Sequence, residues 1–297
     1  MFDNLSISIE NFETKDFYNL IENHVKKYPK KRTEGWFQSD WQNLRINYFP
    51  NQKKIRLTNS IHKFYNSEIF GLGVINHNNF TMSQVTETIS YLETAFNRSS
   101  SEMRILAAFE YGLNIDTENL NPYNDIIERY QSCVTTATNP FYAFYNKTGK
   151  PYAKFCAFTH YKIKAYNKSK QSKLYDKNIL RFEIVNHSST RTREVFGKEN
   201  IFLEDLNNVN IWNSCFETLI KAYDSIRVLA YPIDGIEAYT KTLCHSFPTL
   251  KHDYKKELRN ISHNLKQVHD TLKNSLNNPH GTVRKKLVEN YQNLIIK

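Results

Sequence analysis

Long apolar runs are missing from this 297-residue chain: no stretch of 18 or more consecutive apolar residues occurs, so no segment reads as a transmembrane helix. The four cysteines, Cys133, Cys156, Cys215 and Cys244, lie far apart and in no CxxC spacing. They read as reduced, buried thiols of a cytoplasmic protein rather than as zinc ligands or a disulfide framework. Met1 to Glu10 alternates like a strand and has no basic segment leading into an apolar one, which predicts no secretory signal.

The chain does contain ample material for a core, at 40% hydrophobic and 14% aromatic residues, which excludes a disordered protein. Its 40 Lys and Arg against 30 Asp and Glu leave a formal charge of +10. Such an excess commonly serves phosphate attraction. A compositional bias competes with that explanation. The 34 Asn, the abundant Lys, Ile, Tyr and Phe, and only 8 Gly are what an AT-rich genome produces whatever the function. The arrangement of the charges therefore has to decide.

From the N-terminus to about residue 200 the pattern is mostly period-two alternation. Strands are expected at 2–10, 42–49, 54–61, 106–116 and 178–185, with a meander over 140–168 that turns at Asn146–Lys150. Val85, Ile89, Leu92 and Phe96 repeat at three and four, so 82–96 reads as a helix capped by Thr81. A short helix is expected at 124–132. Beyond Leu203 the pattern turns helical, with helices expected at 211–229, 250–276 and 282–296, the last after the breaker Asn277–Gly281. The expected fold class is α+β: an antiparallel sheet with flanking helices over 1–200, then a helical C-terminal region over 201–297.

Three of these strands carry unusual polar faces. In 160–168, Lys162, Lys164, Tyr166 and Lys168 lie opposite Tyr161, Ile163 and Ala165. Arg181 and Glu183 oppose Leu180, Phe182 and Ile184, while Glu110, Asn114 and Asp116 oppose Phe109, Tyr111, Leu113 and Ile115. A half-buried sheet always has a polar face, and each strand alone is ordinary. Together they place carboxylates, lysines, an arginine and a tyrosine on one open face. Carboxylate oxygens suit Mg²⁺ or Mn²⁺, and the cations suit a phosphodiester held beside them. Tyr166 is then the candidate nucleophile, its phenolate favoured by neighbouring positive charge. Tyr142, Tyr145 and Tyr161 are alternatives. His62, in phase with Arg56, Thr58 and Ser60 on a polar strand face, is a candidate to complete the metal set with Glu110 and Glu183, and His77 is a weaker one.

The residues Tyr166-Asn167-Lys168 followed by Leu180-Arg181-Phe182-Glu183-Ile184, with Ala107–Ile115 upstream, resemble the filamentous-phage gene II type rolling-circle replication initiators and related phage and plasmid replication endonucleases. Met1-Phe2-Asp3 leading into a strand, Ser60-Ile61-His62-Lys63 and Asn76-His77-Asn78 fit the same likeness. There are departures. No His-hydrophobic-His metal pair occurs, and Glu110 stands where relatives more often carry Asp. The resemblance implies a nicking-endonuclease-like domain in which Tyr166 and Lys168 are catalytic and Glu110, Glu183 and His62 hold Mg²⁺ or Mn²⁺. Lys162, Lys164, Arg181 and Lys63 would seat the DNA. The implied activity is nicking and joining of single-stranded or supercoiled origin DNA through a 5′-phosphotyrosine, in a bacterial cytoplasm, with no membrane role. No GxxxxGK[ST] loop occurs, so unwinding falls to a host helicase and synthesis to a host polymerase. Two rival expectations remain: a non-catalytic DNA-binding replication regulator on the same scaffold, and a metal nuclease that uses water. The basic C-terminal run Lys255, Lys256, Arg259, Lys266 and Lys273 reads as a solvated helix face, with a DNA clamp as the alternative.

Overall fold

The computed structural model describes residues 1–135, 138–228 and 279–296. The helix expected at 250–276, its basic residues and Cys244 lie outside the described residues.

Among the described residues there are twelve strands: β1 (Phe2–Ile9), β2 (Lys30–Lys31), β3 (Phe37–Trp41), β4 (Leu44–Phe49), β5 (Lys54–Ser60), β6 (Met103–Asp116), β7 (Tyr130–Val134), β8 (Thr138–Tyr145), β9 (Pro151–Ala157), β10 (Tyr161–Asn167), β11 (Ile179–Asn186) and β12 (Ile226–Val228). They form one sheet in the order β12-β7-β8-β9-β10-β11-β6-β1-β5-β4-β3-β2. Every pairing in it is antiparallel. The helices are α1 (Thr14–Leu20), α2 (Ile61–Phe64), α3 (Met82–Phe96), α4 (Lys168–Ser172), α5 (Ser189–Phe196), α6 (Val209–Asp224) and α7 (Pro279–Ile296). The fold is α+β, an antiparallel sheet with flanking helices and a C-terminal helix. Among the described residues, no helix is long and apolar enough to cross a membrane.

Local chemistry explains most of these boundaries. Thr81 and Gln84 form a reciprocal capping box at the start of α3, whose buried face is Val85, Ile89, Leu92 and Phe96. The β8–β9 turn is closed by Asn146, whose side-chain oxygen accepts from the backbone N–H of Thr148 and Lys150, and Gly149 supplies the positive φ of 74°. Pro279 opens α7 rather than ending a breaker, since a first-turn proline sacrifices no helical hydrogen bond. The helix expected at 211–229 stops at Asp224, and Ile226–Val228 pairs with β7 instead. The helix expected at 124–132 shrinks to helical turns over Pro122–Arg129, after which Tyr130 starts β7.

The core lies on the face of β10, β11 and β6 that carries Ile163, Phe182, Ile184, Phe109 and Tyr111. Phe196 of α5 packs edge-on to Phe109 at 5.0 Å, and Trp212 and Tyr223 of α6 pack on Phe2 and Phe182 at 4.8 and 5.2 Å. Each such ring, removed from water, contributes about 1.5–3 kcal/mol. Phe216 stacks on Tyr291 at 4.0 Å and ties α7 to α6. Cys133, Cys156 and Cys215 are buried in this interior.

The helices leave the opposite face of the central strands available for polar side chains, and Gly112 sits at its middle. Gly112 lies opposite Glu183 in the β6–β11 register. A Cβ there would stand 2.4 Å from the Phe182 carbonyl oxygen and 2.5 Å from the Glu183 Cβ. The bare backbone thus makes room for the Glu183 side chain between Glu110 and Asn114. Gly112→Ala is expected to cost about 1–3 kcal/mol through overpacking, read as a lowered urea midpoint; an unchanged midpoint contradicts this close approach.

Candidate active site

The strand registers assemble this face in two cross-sheet rows. Lys164, Glu183 and Gly112 form one, and Tyr166, Arg181 and Asn114 the next. Glu110 lies opposite Val185, one residue pair away. β1 completes the site through an irregularity. Phe2 and Leu5 pair with Tyr111 and Phe109, so three residue steps on β1 span two on β6. This bulge turns both Asp3 and Asn4 toward the polar face while Phe2 and Leu5 stay in the core.

A cleft of about 270 Å³ opens here, lined by Asp3, Glu110 and Glu183 together with Lys63, Lys164, Lys168 and Tyr166. One oxygen from each of Asp3, Glu110 and Glu183 lies within 4.8 Å of the others. Arg181 joins two of them, donating from Nη2 to Asp3 at 3.0 Å and from Nε to Glu183 at 2.8 Å, and its Nη1 reaches Asn114 at 3.2 Å. Lys164 bridges the other edge, with its Nζ 2.8 Å from both Glu110 and Glu183. The Tyr166 hydroxyl donates to Glu183 Oε2 at 3.3 Å. Ser60 donates to Asp3, and Asn4 donates to Glu110.

The far wall of the cleft is the loop at 75–80, held down by asparagines. Asn76 donates to Asp3 at 2.7 Å and accepts from Lys168 Nζ at 2.6 Å. Asn114 donates to the carbonyls of Asn76 and Asn78 at 3.1 and 3.2 Å, and Asn66 pairs with Asn78. Asp3, Glu110, Glu183, Arg181, Lys164 and Lys168 therefore each have a partner, as burial requires.

Burial changes the electrostatics from those of an open face. Arg181 and Glu183 are each only 2% exposed, and Tyr166 only 8%. Desolvation, followed by the negative charge of Glu183, pushes the Tyr166 phenol well above its usual range. The expectation of a favoured phenolate is thus corrected: the free site holds Tyr166 protonated. Burial acts to raise Glu183 too, but Arg181 and Lys164 outweigh it and hold that carboxyl below the usual range. Glu110 is raised by burial and by Glu183. Lys164 is raised because Glu183 and Glu110 outweigh its own desolvation, whereas burial and Arg181 lower Lys168 to about 8.

Two residues are placed by a different local route from the expected one. Lys168 is not the last residue of a strand but the first of α4, whose N-cap Asn167 accepts from the Lys170 N–H at 2.8 Å. Its ammonium still reaches the cleft, 5.8 Å from the Tyr166 ring. His62 is not on the strand face either. Ser60 accepts from the Lys63 N–H at 3.0 Å and starts α2, which turns His62 into the interior. There it stacks on Phe80 at 4.6 Å, with Nε2 2.9 Å from Asn78, and burial holds it well below the usual histidine range. The structure does not bring it into the carboxylate cluster.

Lys63 lines the cleft, and Lys162 lies on the same face but outside the cleft. His77 is half-buried. Asp116 is exposed and accepts the Glu118 N–H at 2.9 Å, closing the strand end. Tyr142 and Tyr145 are exposed, and Tyr161 stacks on Phe158 at 4.5 Å on the apolar side. From the sequence, Asp3, Ser60 and Asn76 stood only as members of short motifs and were given no role in the site, and Asn4 was not named. Only the bulge and the chain-distant hydrogen bonds reveal them.

The donor set fits a hard divalent cation such as Mg²⁺ or Mn²⁺: three carboxylates converge, all oxygen, at the edge of an open cleft. Lys164 Nζ presently bridges two of these carboxylates, so its ammonium occupies the cationic position between Glu110 and Glu183.

Arg181→Met leaves Asp3 and Glu183 facing each other without their shared cation, and breaking a buried pair in this way costs about 3–5 kcal/mol. The sign of its pH dependence follows from the depressed Glu183. In the wild type, that group contributes stability above its unfolded pKa of about 4.3, which is lost as pH falls and the carboxylate must take up a proton. The variant lacks that contribution. Its deficit in chemical unfolding should be largest from neutral pH down to about 5 and shrink as pH falls below about 4; a deficit independent of pH contradicts the assignment.

No protein-family model matches the chain, and no curated protein matches it. Among solved structures, the chain is similar to a rolling circle replication initiator protein from Geobacillus stearothermophilus, with 12% sequence identity and a TM-score of 0.47 over 80% of this chain and 89% of that one.

Proposed function

We propose that the protein is a nicking–joining DNA endonuclease of rolling-circle replication, with Tyr166 as nucleophile. The observation that carries this reading is the pairing of the Tyr166 hydroxyl with Glu183 in a cleft that is also lined by Asp3, Glu110, Lys63, Lys164 and Lys168. A phenol kept protonated by burial needs an acceptor for its proton, and Glu183 Oε2 stands where one is required.

In this reading Tyr166 Oη attacks the scissile phosphorus and its proton passes to Glu183. The bond from phosphorus to the 3′ oxygen breaks, the 3′ oxygen takes up a proton from water as Glu183 releases its own to water, and the 5′ phosphate remains on Tyr166 as a phosphotyrosine. A divalent metal held by Asp3, Glu110 and Glu183 would polarise the phosphate. Lys168, Lys63 and Lys164 balance the phosphate charge, while Arg181 holds Asp3 and Glu183 in position. Because the link conserves the phosphodiester, reversal of the step rejoins the ends. The substrate is single-stranded or supercoiled origin DNA in a bacterial cytoplasm, with a host helicase and polymerase extending the freed 3′-OH.

Tyr166→Phe keeps the ring and removes only the attacking oxygen, a change worth about 0.5–1.5 kcal/mol of stability at most. Both strand cleavage and the covalent adduct on a denaturing gel should vanish, while binding of oligonucleotide stays near wild type. Glu183→Gln should lower cleavage far more than binding. Cleavage that persists without an adduct assigns the nucleophile to water. Binding with no cleavage in the wild type, at any Mg²⁺ or Mn²⁺ concentration, assigns the protein to the non-catalytic regulators.

A further inference from the structure

The 45 residues from Gln131 to Tyr175 contain eight lysines and neither aspartate nor glutamate, and aromatic residues are interleaved throughout. Within this segment, the β8–β9 hairpin exposes rings that should be costly to leave in water. Tyr142 is 55% exposed and Phe144 41%, on the stretch of β8 that pairs with β9. Phe155 lies between them, 5.6 Å from the Tyr142 ring and 4.6 Å from that of Phe144.

The register places these rings relative to the cleft. Tyr142 pairs with Phe155, which pairs with Lys164, so the row that contains Glu183 continues outward as two aromatic residues. In the next row, Phe144 pairs with Ala153, which pairs with Tyr166. The small Ala153 leaves the floor between Phe144 and the Tyr166 hydroxyl low, and Phe144 itself lines the cleft. Two strand spacings separate Phe144 from Tyr166, about 10 Å. Lys162, on the same face, borders the rings on one side, and Lys147 and Lys150 border them at the turn.

We infer that this hairpin is a base-stacking platform for single-stranded DNA, on which the nucleotides flanking the phosphate in the cleft lay their bases against Tyr142, Phe144 and Phe155. The inference rests on the nuclease reading for the identity of the strand and deepens it. Unpaired bases offer π-faces that a duplex hides, and lysines at the border meet the phosphates between them. That combination of aromatic faces and a basic surround is how sequence-tolerant single-strand binding is built. An acid-free segment gives a polyanion nothing to repel it.

The test compares a labelled oligothymidylate with an abasic deoxyribose-phosphate chain of equal length, by fluorescence anisotropy on the full chain. The wild type should bind the base-bearing strand at least about tenfold more tightly than the abasic one. The double variant Tyr142→Ala/Phe144→Ala, made at exposed positions and checked for an unchanged melting temperature, should lose that preference while its affinity for the abasic strand stays the same. Equal wild-type affinity for both strands, or a loss in the variant that is equal for both, overturns the platform. So does a wild-type dimer that the double variant converts to monomer, which would give the patch to a second copy. Adduct formation by the wild type is scored separately. An adduct without base preference leaves the nuclease reading standing and the platform wrong; base preference without an adduct does the reverse.

Discussion

A guanidinium buried in the middle of a sheet has to be neutralised where it stands, because its desolvation costs several kcal/mol. In this protein Asp3 and Glu183 do so from two different strands, with Arg181 donating to each. The consequences spread outward from that pair. Glu183, held in place by Arg181, presents one oxygen to Tyr166 and the other to Lys164. Asp3, held by the same cation, anchors Asn76, and through it the wall of the cleft and the Lys168 ammonium. Removing either carboxylate would leave Arg181 with one anionic partner in place of two, so the cluster is over-determined by its own electrostatics.

The same arrangement explains how a nucleophile and its acceptor can share a dry site. A fully exposed tyrosine among lysines would ionise more readily but would be positioned loosely. A buried one is harder to ionise, yet its hydroxyl is aimed at Glu183 by the packing of β10 against β11. Proximity and orientation of this kind are large terms in catalysis. Gly112 and the β1 bulge are the backbone features that make it sterically possible: one clears space for Glu183, and the other re-aims Asp3 and Asn4.

Period-two alternation was a sound guide wherever the strands are regular. It put Lys164, Tyr166, Arg181, Glu183, Glu110 and Asn114 on one face, which is where the registers place them. It failed where the backbone departs from that period. By alternation Asp3 shares a face with Leu5 and Ile7; the bulge breaks the phase, so a principal carboxylate was not assigned to the site. Ser60, the last residue of β5, also caps α2, which removes His62 from the sheet. The depth of the cleft was not legible at all. It arises from the loop at 75–80 and from α4 folding over the face, through hydrogen bonds between residues as far apart as Asn76 and Lys168. Hence the open, cationic face expected from the pattern is in fact a buried, charge-balanced one, and the ionisation of Tyr166 changes sense with it.

The account reduces to a claim about one atom, the hydroxyl oxygen of Tyr166, as the point of attachment of the 5′ phosphate. The most direct measurement is mass spectrometry of the protein after reaction with a single-stranded oligonucleotide and Mn²⁺, followed by digestion with trypsin and nuclease. The account predicts a nucleotide mass on the peptide Ala165-Tyr166-Asn167-Lys168, localised by fragmentation to Tyr166. A nucleotide mass on a peptide containing Tyr142 or Tyr145, or cleaved oligonucleotide with no modified peptide, contradicts it.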